Sequence, residues 1–129
     1  MTGNKMTFDE LCELHRGEMR CKGIIDCRKD LYQAMTVLVT DLTEEYHRQV
    51  EKDPDSVMAE GASLRRKNAI QIRNVITEIR TKKVGSKAVA CGQGYRNDTW
   101  DYMTPEEQRF FTSIKEMTES HMDAIREGM

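Results

Sequence analysis

The sequence is poor in proline and in aromatic residues, and both shortages exclude fold classes. Its 129 residues include only 2 Pro, 3 Phe and 1 Trp. An all-β sandwich or barrel needs many turns and many β-forming side chains, so these counts argue against one. Hydrophobic residues make up 38% of the chain and charged residues 33%. Such a composition is typical of amphipathic helices that expose much of their circumference.

Long hydrophobic runs and metal-binding cysteine pairs are missing as well. No stretch approaches the roughly 18 consecutive apolar residues of a transmembrane helix, and residues 1–6 lack the apolar core of a signal peptide. The four cysteines show no CxxC spacing: Cys12, Cys21, Cys27 and Cys91. We therefore expect a reduced, cytoplasmic protein without a membrane span and without a structural zinc site.

The sequence shows no set of residues that would converge for catalysis. The three histidines each fall in a helix-surface context: His15, His47 and His121. There is no GxSxG nucleophile elbow. The Gly92-Gln93-Gly94 segment follows a predicted helix and not a strand, which makes it a poor phosphate-binding loop. We therefore expect no enzymatic activity and no cofactor.

Apolar spacing and capping signals predict an all-α fold, a bundle of four to five helices with one long central helix. The first helix opens at Thr7, where Glu10 completes a capping box. The second runs from about Asp26 to Glu51 and stops before Pro54.

The third predicted helix is the longest. Asp55 or Ser56 caps it, and its pattern could continue to Ala90. Six apolar residues define its expected buried face: Met58, Ala62, Ala69, Ile72, Ile76 and Ile79. Residues 91–103 are polar and contain glycine, which predicts a loop.

The fourth helix has the clearest start of all. Thr104 is the N-cap, Pro105 takes the first position, and Glu107 completes a capping box. Phe110 and Phe111 then place two adjacent rings on this helix, so we expect one ring to face the core and the other to face a partner.

The charge is unevenly distributed along the chain. Residues 61–90 contain eight basic residues and a single acidic one, Glu78. Four of the basic residues are spaced by seven, which places them in one row bordering the apolar face: Arg66, Arg73, Arg80 and Lys87. The row suits phosphate binding. Alternatively, the side chains lay their stems on the core edge and pair with acids of the second and fourth helices.

Motifs in a fixed order along the chain point to a known family. They are Phe8-x-x-Leu11 with Glu18, Asp30-Leu31-Tyr32, Glu44-Glu45-Tyr46, Arg80-x-x-Lys83-Val84 followed by Ala88, and Met103-Thr104-Pro105-Glu106-Glu107 followed by Phe110-Phe111. From about Phe8 to Glu127 the chain resembles the helical A-domain of an archaeal GINS subunit, of the type in which the A-domain comes first.

This resemblance implies a scaffold in DNA replication that is not an enzyme and holds no cofactor. GINS subunits form a homo- or heterotetramer through A-domain helices, and the complex binds the MCM replicative helicase and a RecJ-like protein. The implied location is cytoplasmic and nucleoid-associated. Residues 1–129 are then expected to form a single helical domain, without the β-rich B-domain into which members of this type continue.

The resemblance also implies roles for particular residues. Arg80 and Lys83 would be structural residues of the long helix, paired with acids on neighbouring helices. The full set of candidate structural or interaction residues is Arg66, Arg73, Arg80, Lys83, Lys87, Tyr32, Phe110 and Phe111.

Two other functions remain open from the sequence. One is a stand-alone helical nucleic-acid-binding protein that uses the basic row, with direct DNA contact. The other is a monomeric regulatory bundle with an unknown partner. Salt separates a scaffold from a phosphate binder, because salt weakens phosphate contacts but does not screen buried apolar surface.

Overall fold

A computed structural model describes residues 4–128, and every regular element in that range is helical. The helices are α1 (Phe8–Arg20), α2 (Leu31–Lys52), α3 (Val57–Gly92) and α4 (Pro105–Glu127), with one 3₁₀ turn at Trp100–Tyr102. The fold class is therefore the predicted all-α helical bundle with a long third helix. Among the described residues, no helix combines the length and the apolar character needed to cross a membrane.

Side-chain caps begin three of the helices as the sequence predicts. The hydroxyl of Thr7 accepts a hydrogen bond from the backbone N–H of Glu10 (3.1 Å), and the hydroxyl of Ser56 accepts one from Ala59 (3.0 Å). At α4 the predicted capping box is complete, with Pro105 at the first helical position and Gly128 after the last. Each cap satisfies an N–H that the helix itself leaves unpaired.

The predicted start of α2 near Asp26 is wrong, because the helix begins at Leu31. The Asp26 carboxylate accepts a hydrogen bond from the N–H of Cys27 (3.0 Å), a local contact that competes with helix formation. Ile24 is buried, and the carbonyl of Ile25 accepts a hydrogen bond from Arg80. This segment is therefore shaped by tertiary contacts that a helix would not make.

The buried face of α3 differs from the predicted one. Met58 is exposed, and Ile72 and Ile79 are only half-buried. The buried positions are Ala59, Ala62, Ala69, Ile76, Arg80, Val84, Ala88 and Cys91. At 3.6 residues per turn, this face is rotated by about 60° from the predicted one, toward the row of basic residues.

The described residues divide into two compact units. The first unit comprises residues 4–17 and 30–77, and the second comprises residues 18–29 and 78–128. Both α1 and α3 contribute residues to each unit. In the first unit, α2 and α3 are linked by a hydrogen bond from Nε of Arg66 to the hydroxyl of Thr43 (2.9 Å).

The second unit has its own apolar core. The buried cluster consists of Ile24, Val84, Ala88, Cys91, Met103 and Phe111, with Ile114 packed against it. Contacts between α3 and α4 advance together along both helices, from Arg80 with Glu107 to Gly92 against Thr118. In this unit α4 therefore runs in the same direction as the end of α3.

Candidate interaction site

The most distinctive feature of the second unit is a charged side chain in its core. Arg80 follows Ile76 and precedes Val84 by one helical turn each, so it lies on the buried face of α3. Only 1% of its side chain is exposed. The sequence placed this residue at the border of the apolar face, and that placement is wrong.

Each of the five N–H donors of Arg80 has an acceptor. Glu107 binds the guanidinium through both of its oxygens, at 2.7 Å from Nε and 2.9 Å from Nη2. Glu18 accepts from Nη1 at 2.6 Å. The carbonyls of Ile25 and Tyr102 accept the remaining two N–H groups, at 3.0 and 3.2 Å. The planar guanidinium thus joins α1, α4 and two non-helical segments.

A second cation completes the cluster. Nζ of Lys83 donates to the Glu18 carboxylate at 2.8 Å and to the Glu18 carbonyl at 3.1 Å. Glu107 also accepts a hydrogen bond from the N–H of Thr104 (3.0 Å), so the same carboxylate caps α4. Two carboxylates face two cations, and the buried cluster is therefore neutral. We call Glu18, Arg80, Lys83 and Glu107 the buried ion cluster.

The electrostatics of the buried ion cluster keep Arg80 charged. Burial alone would lower the pKa of Arg80, but the hydrogen bonds and negative charge of Glu107, with Glu18, hold that pKa above its usual range. No buried side-chain nitrogen or oxygen among the described residues lacks a hydrogen-bond partner. The cluster therefore offers no free acid or base, and its geometry suits a structural role. Within residues 4–128, no group of His, Cys, Asp and Glu side chains is arranged to hold a metal ion.

The predicted pairing of the basic residues with acids holds for Arg80 and Lys83, with one difference. The sequence expected partners on the second and fourth helices, whereas the acids come from α1 and α4. Within the basic row, Arg66 is half-buried against Thr43, and Arg73 bonds to the neighbouring amide of Asn74. Lys87 lies 4.0 Å from Asp98. Because Arg80 is buried, the row is not one continuous exposed surface.

The two adjacent rings of α4 lie in different environments, and one of them faces the core as predicted. Phe111 is buried in the core and meets Trp100 edge-on, with ring centroids 5.8 Å apart. Phe110 is 39% exposed and lies over Gly85 of α3. Tyr32, the other aromatic candidate, is half-buried on α2 in the first unit.

The exposed ring of Phe110 begins an apolar face along α4. Met117 and Ile125 lie seven and fifteen residues further on and are 68% and 40% exposed. At 3.6 residues per turn the three side chains share one side of the helix. Val89 of α3, one turn after Gly85, is exposed as well. We call Val89, Phe110, Met117 and Ile125 the α4 apolar face.

Cys27 lies beside the buried ion cluster. Its thiol is 3.8 Å from the carbonyl oxygen of Tyr102, which also accepts from Arg80. Burial raises the pKa of Cys27 from its ordinary 9.0 to about 11, and the charge of Glu107 adds to the rise although Arg80 opposes it. The thiol therefore stays neutral at physiological pH.

Raising the pH should lower the free energy of unfolding through Cys27. Between pH 9.0 and about 11 the unfolded thiol has lost its proton while the folded thiol still holds it, so the unfolded state is favoured. We expect urea unfolding at one pH below 9.0 and one near 11 to show a larger loss of stability in the wild type than in Cys27→Ala. Equal losses in both proteins would refute this account of Cys27.

Two residues of the buried ion cluster, Glu18 and Glu107, were absent from the predicted site set. A usable signal was present, because Glu18 follows Leu11 by seven residues and Leu14 by four. Glu18 therefore places a carboxylate on the apolar stripe of α1. Because a buried charge is costly unless it is paired, this position predicts a buried cation nearby. For Glu107, the capping box predicted the local contact but not the bond to Arg80.

Comparison of this chain with protein-family models, with curated proteins and with solved structures finds no match.

Proposed function

We propose that this chain is a non-enzymatic scaffold subunit similar to the A-domain of a GINS subunit. In this proposal it assembles with other GINS subunits and, in DNA replication, binds the MCM helicase together with a RecJ-like protein. The assembly acts in the cytoplasm at the nucleoid. The observation on which the proposal rests is the α4 apolar face, which a monomer leaves in water.

The positions of the motif residues support the family named in the proposal. Motifs that are far apart in sequence supply the core of the second unit. Glu18, Arg80, Lys83 and Glu107 form the buried ion cluster, and Val84, Ala88, Met103 and Phe111 surround the apolar centre. These motif residues of the second unit thus fix α4 on α3, and they set the position of the α4 apolar face.

Burial of the α4 apolar face provides the mechanism of assembly. The ring of Phe110 lies over Gly85 of α3, so part of it is covered by α3 and part of it faces solvent. Each fully buried side chain of the size of Phe, Met or Ile contributes about 1.5 to 3 kcal/mol. Several such side chains, repeated in each subunit, can hold an oligomer without any covalent or metal link.

The two alternative functions receive less support. A nucleic-acid binder that uses the basic row would need Arg80 at the surface, whereas Arg80 is enclosed by Glu18 and Glu107. A monomeric bundle gives no role to Met117, the most exposed member of the α4 apolar face.

Native mass spectrometry tests the assembly step. We expect the wild type, alone or mixed with a second GINS subunit, to form a complex larger than its own 15.0 kDa. The complex should persist at high salt, because apolar contacts are not screened. The double variant Met117→Glu and Ile125→Glu should return to the monomer mass.

A matched control places the same charges on exposed apolar residues elsewhere. Val57 and Leu64 are 81% and 60% exposed on α3 in the first unit. The double variant Val57→Glu and Leu64→Glu should keep the oligomer. A wild type that stays monomeric with every GINS partner, or an oligomer that survives the α4 substitutions, would refute assembly through this face.

A further inference from the structure

A second surface of unit 2 has a different chemistry. Lys22, Lys82, Lys83 and Lys87 surround an open groove of about 420 Å³. The groove lies between the segment that follows α1, the exposed side of α3 and the loop before α4. The hydroxyl-bearing residues Ser86 and Thr99 also line it, and no carboxylate does.

The lysines of the groove differ in how firmly they are paired. Lys83 forms an ion pair with Glu18, and its side chain is only 12% exposed. Lys82 meets Glu78 across one exposed helical turn, a pair that water screens strongly. Lys87 is 4.0 Å from Asp98, whose side chain is almost fully exposed. Lys22 is exposed. Three ammonium groups are therefore accessible to an anionic ligand.

Two exposed aromatic residues of the loop before α4 are next to residues of the groove wall, although their side chains do not line it. The backbone N–H of Tyr95 donates to the carbonyl of Ala90, a residue of the groove wall, at 3.1 Å. Tyr95 is 70% exposed. Trp100 directly follows Thr99 of the groove and is also exposed. Accessible ammonium groups together with exposed aromatic residues on a neighbouring loop are a combination that suits single-stranded nucleic acids, because cations neutralise phosphates while rings stack on bases.

We propose that this groove binds the backbone of a single-stranded nucleic acid. Lys22, Lys82 and Lys87 contact phosphates, and the side chains of Tyr95 and Trp100 stack on bases. An acidic peptide would use the ammonium groups but would leave the rings without a role. The site is separate from the α4 apolar face and shares only Lys87 with the basic row, and the inference is independent of the assembly proposed above.

The test is fluorescence anisotropy of the full chain with a labelled oligothymidylate of about 16 nucleotides. Each phosphate contact contributes about 0.7 to the slope of log K against log salt on a single strand, so three lysines predict a slope of about −2. The double variant Lys22→Gln and Lys87→Gln should bind at least about tenfold more weakly at about 50 mM salt and lose more than half of that slope. Tyr95→Ala should weaken binding by at least about fivefold.

The control variant removes two lysines outside the groove. Lys52 and Lys115 are surface residues of α2 and α4, and Lys52→Gln with Lys115→Gln should leave affinity and slope close to those of the wild type. Absence of oligonucleotide binding would overturn the proposal. Equal affinity in the groove variant would do the same, as would tighter binding of a polyglutamate peptide. Loss of binding in the groove variant, with no change in Tyr95→Ala and equal affinity for a duplex, would reject the single-strand specificity.

Discussion

Arg80→Met should lower the free energy of unfolding by about 3 to 5 kcal/mol, because removal of one partner of a buried ion pair leaves uncompensated charge in the core. In this case Glu18 and Glu107 stay buried, with Lys83 as the single cation near Glu18. Urea unfolding followed by circular dichroism measures the loss.

Two further variants separate lost charge pairing from general damage to α3. Lys82→Met on the same helix removes only an exposed pair with Glu78 and should change stability by less than about 1 kcal/mol. The double variant Arg80→Met and Glu107→Gln keeps the Glu18–Lys83 pair and leaves no unpaired buried carboxylate, and Gln at 107 can still complete the capping box. It should recover part of the loss. If Arg80→Met cost no more than Lys82→Met, Arg80 would not organise this core.

Gly92→Ala should lower the free energy of unfolding by about 1 to 3 kcal/mol, which is typical of an overpacked contact. A Cβ at Gly92 would lie 2.5 Å from Cβ of Thr118 and 2.9 Å from the carbonyl oxygen of Lys115. The helical backbone of α4 cannot yield as a flexible side chain would, so the two helices must separate. Because Gly92 has no positive φ, the loss would come from this contact and not from backbone strain.

The matched control for Gly92 is a glycine in the same helix with room for a methyl group. A Cβ at Gly61 would meet only the end of the Arg65 side chain, at 3.5 Å. Gly61→Ala should therefore raise stability by up to about 1 kcal/mol, since alanine has the higher helix propensity. Opposite signs for the two substitutions in thermal unfolding would support the close approach of α3 and α4. Stabilisation by both would refute it.

Local signals in the sequence predicted the parts of the fold that depend on local interactions. The start of α4 is one example, because Thr104, Pro105 and Glu107 specify it within four residues. The start of α2 is the opposite case. Residues 21–30 contain apolar and charged side chains that would suit a helix. However, Ile24 packs in the core of the second unit, and the Ile25 carbonyl accepts a hydrogen bond from Arg80, so both contacts are with residues distant in sequence. Tertiary contacts decide such a boundary, and no local pattern reports them.

The position of Arg80 shows a second limit of prediction from periodicity. Its seven-residue relation to Arg66 and Arg73 suggested a solvated row, whereas its four-residue relation to Ile76 and Val84 placed it in the core. Both spacings fit a helix, and only the presence of Glu18 and Glu107 nearby decides between them. Arg80 and Lys83 were therefore among the predicted candidate residues, whereas the burial of Arg80 and its partners Glu18 and Glu107 were not predicted.

The central claim, assembly of a replication scaffold through α4, is tested most directly by affinity capture from native cell extract. The tagged wild type is compared with the Met117→Glu and Ile125→Glu variant, and the captured proteins are identified by mass spectrometry. The account predicts that the wild type recovers GINS subunits together with MCM or a RecJ-like protein, and that the variant loses the GINS subunits. Recovery of none of these proteins by the wild type, or equal recovery by both, would contradict it.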